Sequence, residues 1–179
     1  YFELFLNTYS CNTHFLALNC RNHPNIIKVA SSHSGLDIMP CRRERVPIKT
    51  EIIFYNCNNE LADSINKQIK SLVSKGAAPE QIAVLTLDRK HLIFIESNST
   101  FETIQVSPNC EAEEGKVSLS TIHSFKGLET EFVIIAGVDE FDRNNKELMS
   151  LLFVGYSRAR VGLYVFMAEP VKYVLAMNL

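Results

Sequence analysis

The sequence predicts an α/β layer fold built on a mainly parallel sheet, and three observations predict it. Short apolar runs rich in β-branched residues recur at strand length, segments of helical period lie between them, and one run is apolar on both parities. Strands alternating with helices are joined by crossovers, the connection that parallel strands require. The doubly apolar run, residues 132–138 (FVIIAGV), fits a strand covered on both faces.

In chain order, Pro24 opens a helix expected over about residues 24–32. Residues 31–50 hold Gly35, Pro40, Pro47 and the cluster Arg42, Arg43, Arg45, and read as a long loop or short hairpin. Residues 51–57 (EIIFYNC) are the first expected strand. Residues 59–75 (NELADSINKQIKSLVSK) then place Leu61, Ile65, Ile69, Leu72 and Val73 on one helical face, with Asn58 or Asn59 as cap and Gly76 as terminator. Residues 81–87 (QIAVLTL) form the second strand. Residues 88–115 are ambiguous, because 91–96 (HLIFIE) suit a strand or a short helix equally. Strands follow at 117–122 and 132–138, a helix from about 146 through 159, and a last strand at 161–168 (VGLYVFMA). There is no internal repeat.

The 179 residues are 46% hydrophobic and 21% charged, which excludes a disordered, collagenous or cysteine-stapled chain and leaves room for one sizeable core. A single domain is expected over residues 1–179. The formal charge of -2 gives no global basic field, so a polyanion must be bound locally. Cys11, Cys20, Cys41, Cys57 and Cys110 form no C-x-x-C and are odd in number, which suits reduced thiols and a cytoplasmic location. Residues 1–9 lack a basic n-region, and Asn, Thr, Ser and His interrupt the uncharged stretch 4–20, so neither a signal peptide nor a membrane span is predicted. A chain opening on Tyr1 is expected to be a piece of a longer polypeptide.

No phosphate loop is present. Gly115-Lys116 is followed by Val117, has Cys110 where the loop's first glycine belongs, and no G-x-G-x-x-G occurs. Asp139-Glu140, closing the apolar run, mimics the acidic strand end that holds magnesium in P-loop enzymes; the plainer reading is a solvated strand end. Cys11-x-x-His14 and Cys20-x-x-His23 have the look of two zinc pairs, against buried thiols and a solvated histidine. No metal site is assigned.

Residues 117–135 (VSLSTIHSFKGLETEFVII) run from one strand through Thr121, His123, Ser124, Lys126, Gly127, Leu128 and Glu129 into another. Residues 151–165 (LLFVGYSRARVGLYV) carry Phe153, Val154, Ser157, Arg158 and Ala159. These two stretches resemble motifs V and VI of superfamily I helicases of the UvrD/Rep type. Upstream, residues 16–27 (LALNCRNHPNII) resemble motif IV through Asn19, Arg21, Ile26 and Ile27, with Cys20 where the family has an aromatic residue.

The resemblance implies a RecA-like three-layer lobe, the C-terminal one (domain 2A) of a two-lobed ATP-dependent DNA helicase, lacking its own P-loop. Arg158 and Arg21 would then complete an ATP site between lobes, since phosphoryl transfer needs cations where charge accumulates and arginine's planar fork grips two phosphate oxygens. Arg158 is expected in a helical stretch, with Arg160 pointing elsewhere on that helix. Outside the motif, Arg158 would read as a structural ion pair.

Gly127 would let backbone approach a ligand closely, and Glu129 offers a carboxylate to a ribose hydroxyl, against a solvated loop acid. Thr121, His123 and Ser124 would give neutral donors to single-stranded DNA phosphates, while Lys126 either meets phosphate or snorkels. His123 alone would read as a packed or capping histidine. ATP and Mg2+ would be held mainly by an N-terminal RecA-like lobe, the expected partner, and no membrane partner is expected.

The 29 residues between Leu87 and Val117 are too few for the 2B subdomain that UvrD-type relatives insert there, so a short connection is expected over about residues 88–116. Two alternatives stand beside the motor. One is a helicase-derived binding module without enzymatic activity, the other an unrelated magnesium-dependent phosphotransferase using Asp139 and Glu140.

Overall fold

The computed structural model describes residues 21–35, 50–98, 105–107 and 113–177. Within these, six parallel strands form one sheet: β1 (Thr50–Tyr55), β2 (Ile82–Thr86), β3 (Gln105–Ser107), β4 (Lys116–Thr121), β5 (Thr130–Val138) and β6 (Ala159–Ala168). Their spatial order is β1-β6-β5-β2-β4-β3, and every pairing is parallel. Five of the six were predicted. β3 escapes a reading by periodicity because three residues in a polar stretch are too short to show one.

Helices α1 (Pro24–Ser34), α4 (Lys146–Tyr156) and α5 (Glu169–Met177) pack on one face, and α2 (Asn58–Ser74) and α3 (Arg89–Asn98) on the other. β5 shows why its sequence is apolar on both parities: Val133 and Ile135 join Ile26, Met149, Leu152 and Tyr156, while Ile134 and Ala136 join Leu61, Ile65 and Ile69. Each large apolar side chain so buried contributes about 1.5 to 3 kcal/mol. The predicted three-layer α/β fold with a parallel sheet is the observed one.

Several local readings are corrected. α2 is capped by Cys57 in extended backbone, without a side-chain bond, rather than by Asn58 or Asn59; the chain ahead of it is held by Glu60, whose carboxylate accepts from Asn56 N–H at 2.8 Å. Residues 91–96 are helical, because Asp88 accepts from His91 N–H at 2.8 Å and so opens α3. The connection over 88–116 therefore holds a helix and an edge strand. α4 stops at Tyr156, short of Ala159, and α5 was not anticipated. α1 runs on to Ser34, past the start of the loop predicted over 31–50, and residues 36–49, with Arg42, Arg43 and Arg45, lie outside the described residues.

The chain between β4 and β5 has no helix long enough to count as a crossover, yet it must return from the carboxyl edge of the sheet to the amino edge. Residues 122–129 make that return along the α1/α4 face, pinned by buried Ile122 and Phe125. Gly155 lets α4 lie close over this segment, since a Cβ there would come within 2.9 Å of Ile122 and Ile135. Thr121 and Ser124 thus lie toward the carboxyl edge, and Glu129 toward the amino edge. Among the described residues no helix is long and apolar enough to cross a membrane.

Candidate nucleotide and nucleic-acid interface

Thr130 and Ala159 are register partners at the amino ends of β5 and β6, so the residues just before them, Glu129 and Arg158, are neighbours at that edge. Arg158 lies in the turn between α4 and β6, not in the helix, and its carbonyl accepts from Thr130 N–H at 3.1 Å. Its guanidinium donates from Nε to Val154 O at 3.1 Å, from Nη1 to Leu128 O at 3.2 Å and from Nη2 to Ser157 Oγ at 3.2 Å. Arginine has five N–H groups, so these bonds fix the plane and leave two N–H groups without a partner among the described residues.

Arg21 joins the same edge from the segment ahead of α1, with Nε 2.9 Å from Glu129 Oε2. Burial lowers the Arg158 pKa from the ordinary arginine value, the Arg21 charge lowers it further, and Glu129 opposes both. Arg160 is in β6 rather than on a helix, and its exposed side chain reaches the two acids, 3.8 Å from Glu129 and 3.5 Å from Glu131. Among the described residues three arginines and two glutamates meet here, and an anion arriving would relieve the Arg21–Arg158 repulsion.

Asn22 holds these pieces together. It is buried, and its Nδ2 donates to Ser157 O at 2.9 Å and to Ala159 O at 2.7 Å. Asn22 was not singled out from sequence, and Arg160 was expected to point away on a helix. Asn22 follows Arg21 directly, but nothing local signals a contact 137 positions away.

Gly127 has φ 91°, with open space where a Cβ would point, so here glycine answers a left-handed backbone rather than a crowded approach. Thr121 Oγ1 lies 3.0 Å from Ser124 Oγ and accepts from Ser124 N–H at 3.2 Å, closing the turn. His123 and Lys126 are exposed. With Leu148, Leu151 and Val154 of α4 they line a cleft of about 580 Å³ running beside the turn.

The Asp139 carboxylate is already engaged: Tyr55 donates its hydroxyl to Oδ1 at 2.6 Å, and His91 Nε2 lies 3.1 Å from Oδ2. That speaks against a magnesium site at Asp139 and Glu140. Burial raises the Tyr55 pKa, with the Asp139 hydrogen bond adding to it. Of the proposed zinc ligands, Cys11, His14 and Cys20 lie outside the described residues, as does Asn19 of motif IV. His23 instead caps α1, its Nδ1 accepting from Asn25 N–H at 3.2 Å. Among the described residues no group of three or more such side chains could hold a metal.

By class this is a parallel α/β lobe that carries the residues of motifs V and VI in chain order. Residues 116–166, from β4 into β6, match the family of UvrD-like helicase C-terminal domains, and the recognition from motifs V and VI stands. The lobe is similar in fold to the crystal structure of the C-terminal domain of a possible DNA helicase from Lactobacillus plantarum WCFS1, at 14% identity and TM-score 0.62, over 84% of this chain and 88% of that one. The C-terminal part of the Fun30 ATPase domain also matches, at 10% identity and TM-score 0.46, over 66% of this chain and 45% of that one. No curated protein matches in sequence.

Proposed function

We propose that this chain is the C-terminal motor lobe of an ATP-dependent superfamily I DNA helicase. The observation that carries the reading is the convergence of Arg21 and Arg158 with Glu129 at one partly exposed edge of the sheet. Two arginines converging there are suited to the charge that builds up on a transferring phosphoryl group. The phosphate loop and the magnesium-binding acids belong to an N-terminal lobe, so this chain alone neither hydrolyses ATP nor unwinds DNA.

Arg158, held by three side-chain bonds, presents its remaining N–H groups without reorganising when phosphate arrives. Arg21 exchanges Glu129 for phosphate, and Glu129 turns to a ribose hydroxyl. At the other end of the 122–129 segment, His123 and Lys126, with the Thr121–Ser124 turn between strand and cleft, meet phosphates of single-stranded DNA. One short connection thus links the strand contact to the nucleotide contact, and closure of the two lobes on ATP becomes movement along DNA.

The test is Arg158→Ala in the full-length parent. DNA-stimulated ATP turnover is expected to fall about a thousandfold, the lower bound for an arginine finger, with single-stranded DNA binding retained. Unchanged turnover refutes the reading. A G-x-x-x-x-G-K-[ST] sequence upstream of Tyr1 in the parent separates a motor from a binding module.

A further inference from the structure

We infer that Asn22 is the positioning residue of the arginine pair, setting where Arg158 stands and how far Arg21 lies from it. The inference rests on the reading of Arg158 as a phosphate-binding group. The Asn22 amide nitrogen carries two hydrogens, and the two carbonyls it reaches belong to Ser157 and Ala159, one on either side of Arg158. A single side chain therefore straddles the residue it serves. Ser157 O belongs to the end of α4, where helical carbonyls lose their internal partners, so the turn needs a donor from elsewhere.

The remaining backbone oxygen of the turn, that of Arg158, accepts from Thr130 at the start of β5. The Arg158 main chain is thus fixed from two directions, and its guanidinium then finds Val154 O and Leu128 O at fixed places. Asn22 also follows Arg21 directly, so the amide that clamps the turn anchors the backbone from which Arg21 extends. Asn22 itself is 3% exposed and faces no solvent edge, which gives it no contact with a nucleotide.

Docking of α1 onto the lobe does not call for this amide. Ile26, Ile27 and Ala30 are buried along the helix, and His33 meets Tyr156 across the α1/α4 contact. What Asn22 adds is the geometry of one turn.

The experiment measures steady-state ATP turnover with single-stranded DNA in the full-length parent carrying Asn22→Asp, Arg158→Ala or both. Aspartate keeps the shape but sets an accepting carboxylate against two carbonyls. Asn22→Asp is expected to lower kcat at least about tenfold with KM for ATP within about twofold, since a small misplacement of a reacting group costs rate before it costs binding. In the Arg158→Ala background the same change is expected to have a clearly smaller effect, that of Arg21 alone.

Where Asn22→Asp does not fold, Asn22→Ser carries the test, because one hydroxyl hydrogen cannot bridge both carbonyls and the same loss in kcat is expected. Wild-type kcat in the folded variant overturns the inference, as does an equal loss in both backgrounds. Normal turnover by Arg158→Ala overturns the inference together with the reading beneath it. Loss by Arg158→Ala with normal turnover by the Asn22 variant overturns the inference alone.

Discussion

Arg21 and Glu129 form an ion pair at 2.9 Å although both side chains are substantially exposed, at 53% and 39%. A pair this wet contributes at most about 1 kcal/mol, so it keeps the two side chains in register more than it secures the fold. Glu129→Gln is expected to change the unfolding free energy of this chain by no more than about 1 kcal/mol in urea denaturation. In the parent the same substitution is expected to raise KM for ATP. A loss of several kcal/mol would make the pair structural instead.

Arg158→Lys separates charge from geometry. Lysine keeps the cation but has a single nitrogen, and it cannot bond Val154 O, Leu128 O and Ser157 Oγ while also facing a ligand. Turnover of the parent is expected to stay within about tenfold of Arg158→Ala, because the lost fork and not the lost charge dominates. Near-normal turnover by Arg158→Lys in an ATPase assay would show that a point charge suffices.

Much of this was legible in the sequence because strands buried on both faces and helices with one apolar stripe leave a periodic record. β5 and α2 are the clearest cases. β3 left none, being three residues of an edge strand, and α5 left too little to be noticed. At the site, Arg21, Glu129 and Arg158 were legible through a motif, but Arg160 was misplaced by reading α4 three residues too long. Two residues more or less of helix decide whether a side chain faces a ligand or turns from it. Asn22 was invisible for another reason: a hydrogen bond between the amino-terminal segment and the last strand has no local signature.

His33 and Tyr156 predict how stability depends on pH. His33 is buried, its Nδ1 lies 3.0 Å from the Tyr156 hydroxyl, and burial, with the Arg143 charge adding, lowers its pKa from 6.5 to about 4. The unfolded chain protonates His33 below about pH 6.5 while the folded chain stays neutral down to about pH 4, so stability falls as pH drops through that window and the effect levels off below it. The loss from this one group is of the order of 3 kcal/mol at most. Urea midpoints of wild type and His33→Gln at pH 7 and pH 5 are expected to show the larger drop in wild type. Equal drops would place the titration elsewhere.

Gly137 tests the packing at the carboxyl edge of β5. Its φ is 78°, and a Cβ there would lie 2.5 Å from Cγ of the His91 ring. That ring has little room to yield, because its nitrogens lie 3.0 Å from an Asp88 oxygen and 3.1 Å from an Asp139 oxygen. Left-handed backbone costs a non-glycine residue roughly 1 to 2 kcal/mol, and overpacking adds roughly 1 to 3. Gly137→Ala is therefore expected to destabilise the chain by about 2 to 5 kcal/mol in chemical denaturation. In a His91→Ala background the steric part disappears, leaving only the backbone part, so the second measurement divides the two costs. An unchanged midpoint for Gly137→Ala would mean that the edge relaxes freely, and Asp139 would then be far less constrained than its contacts with Tyr55 and His91 imply.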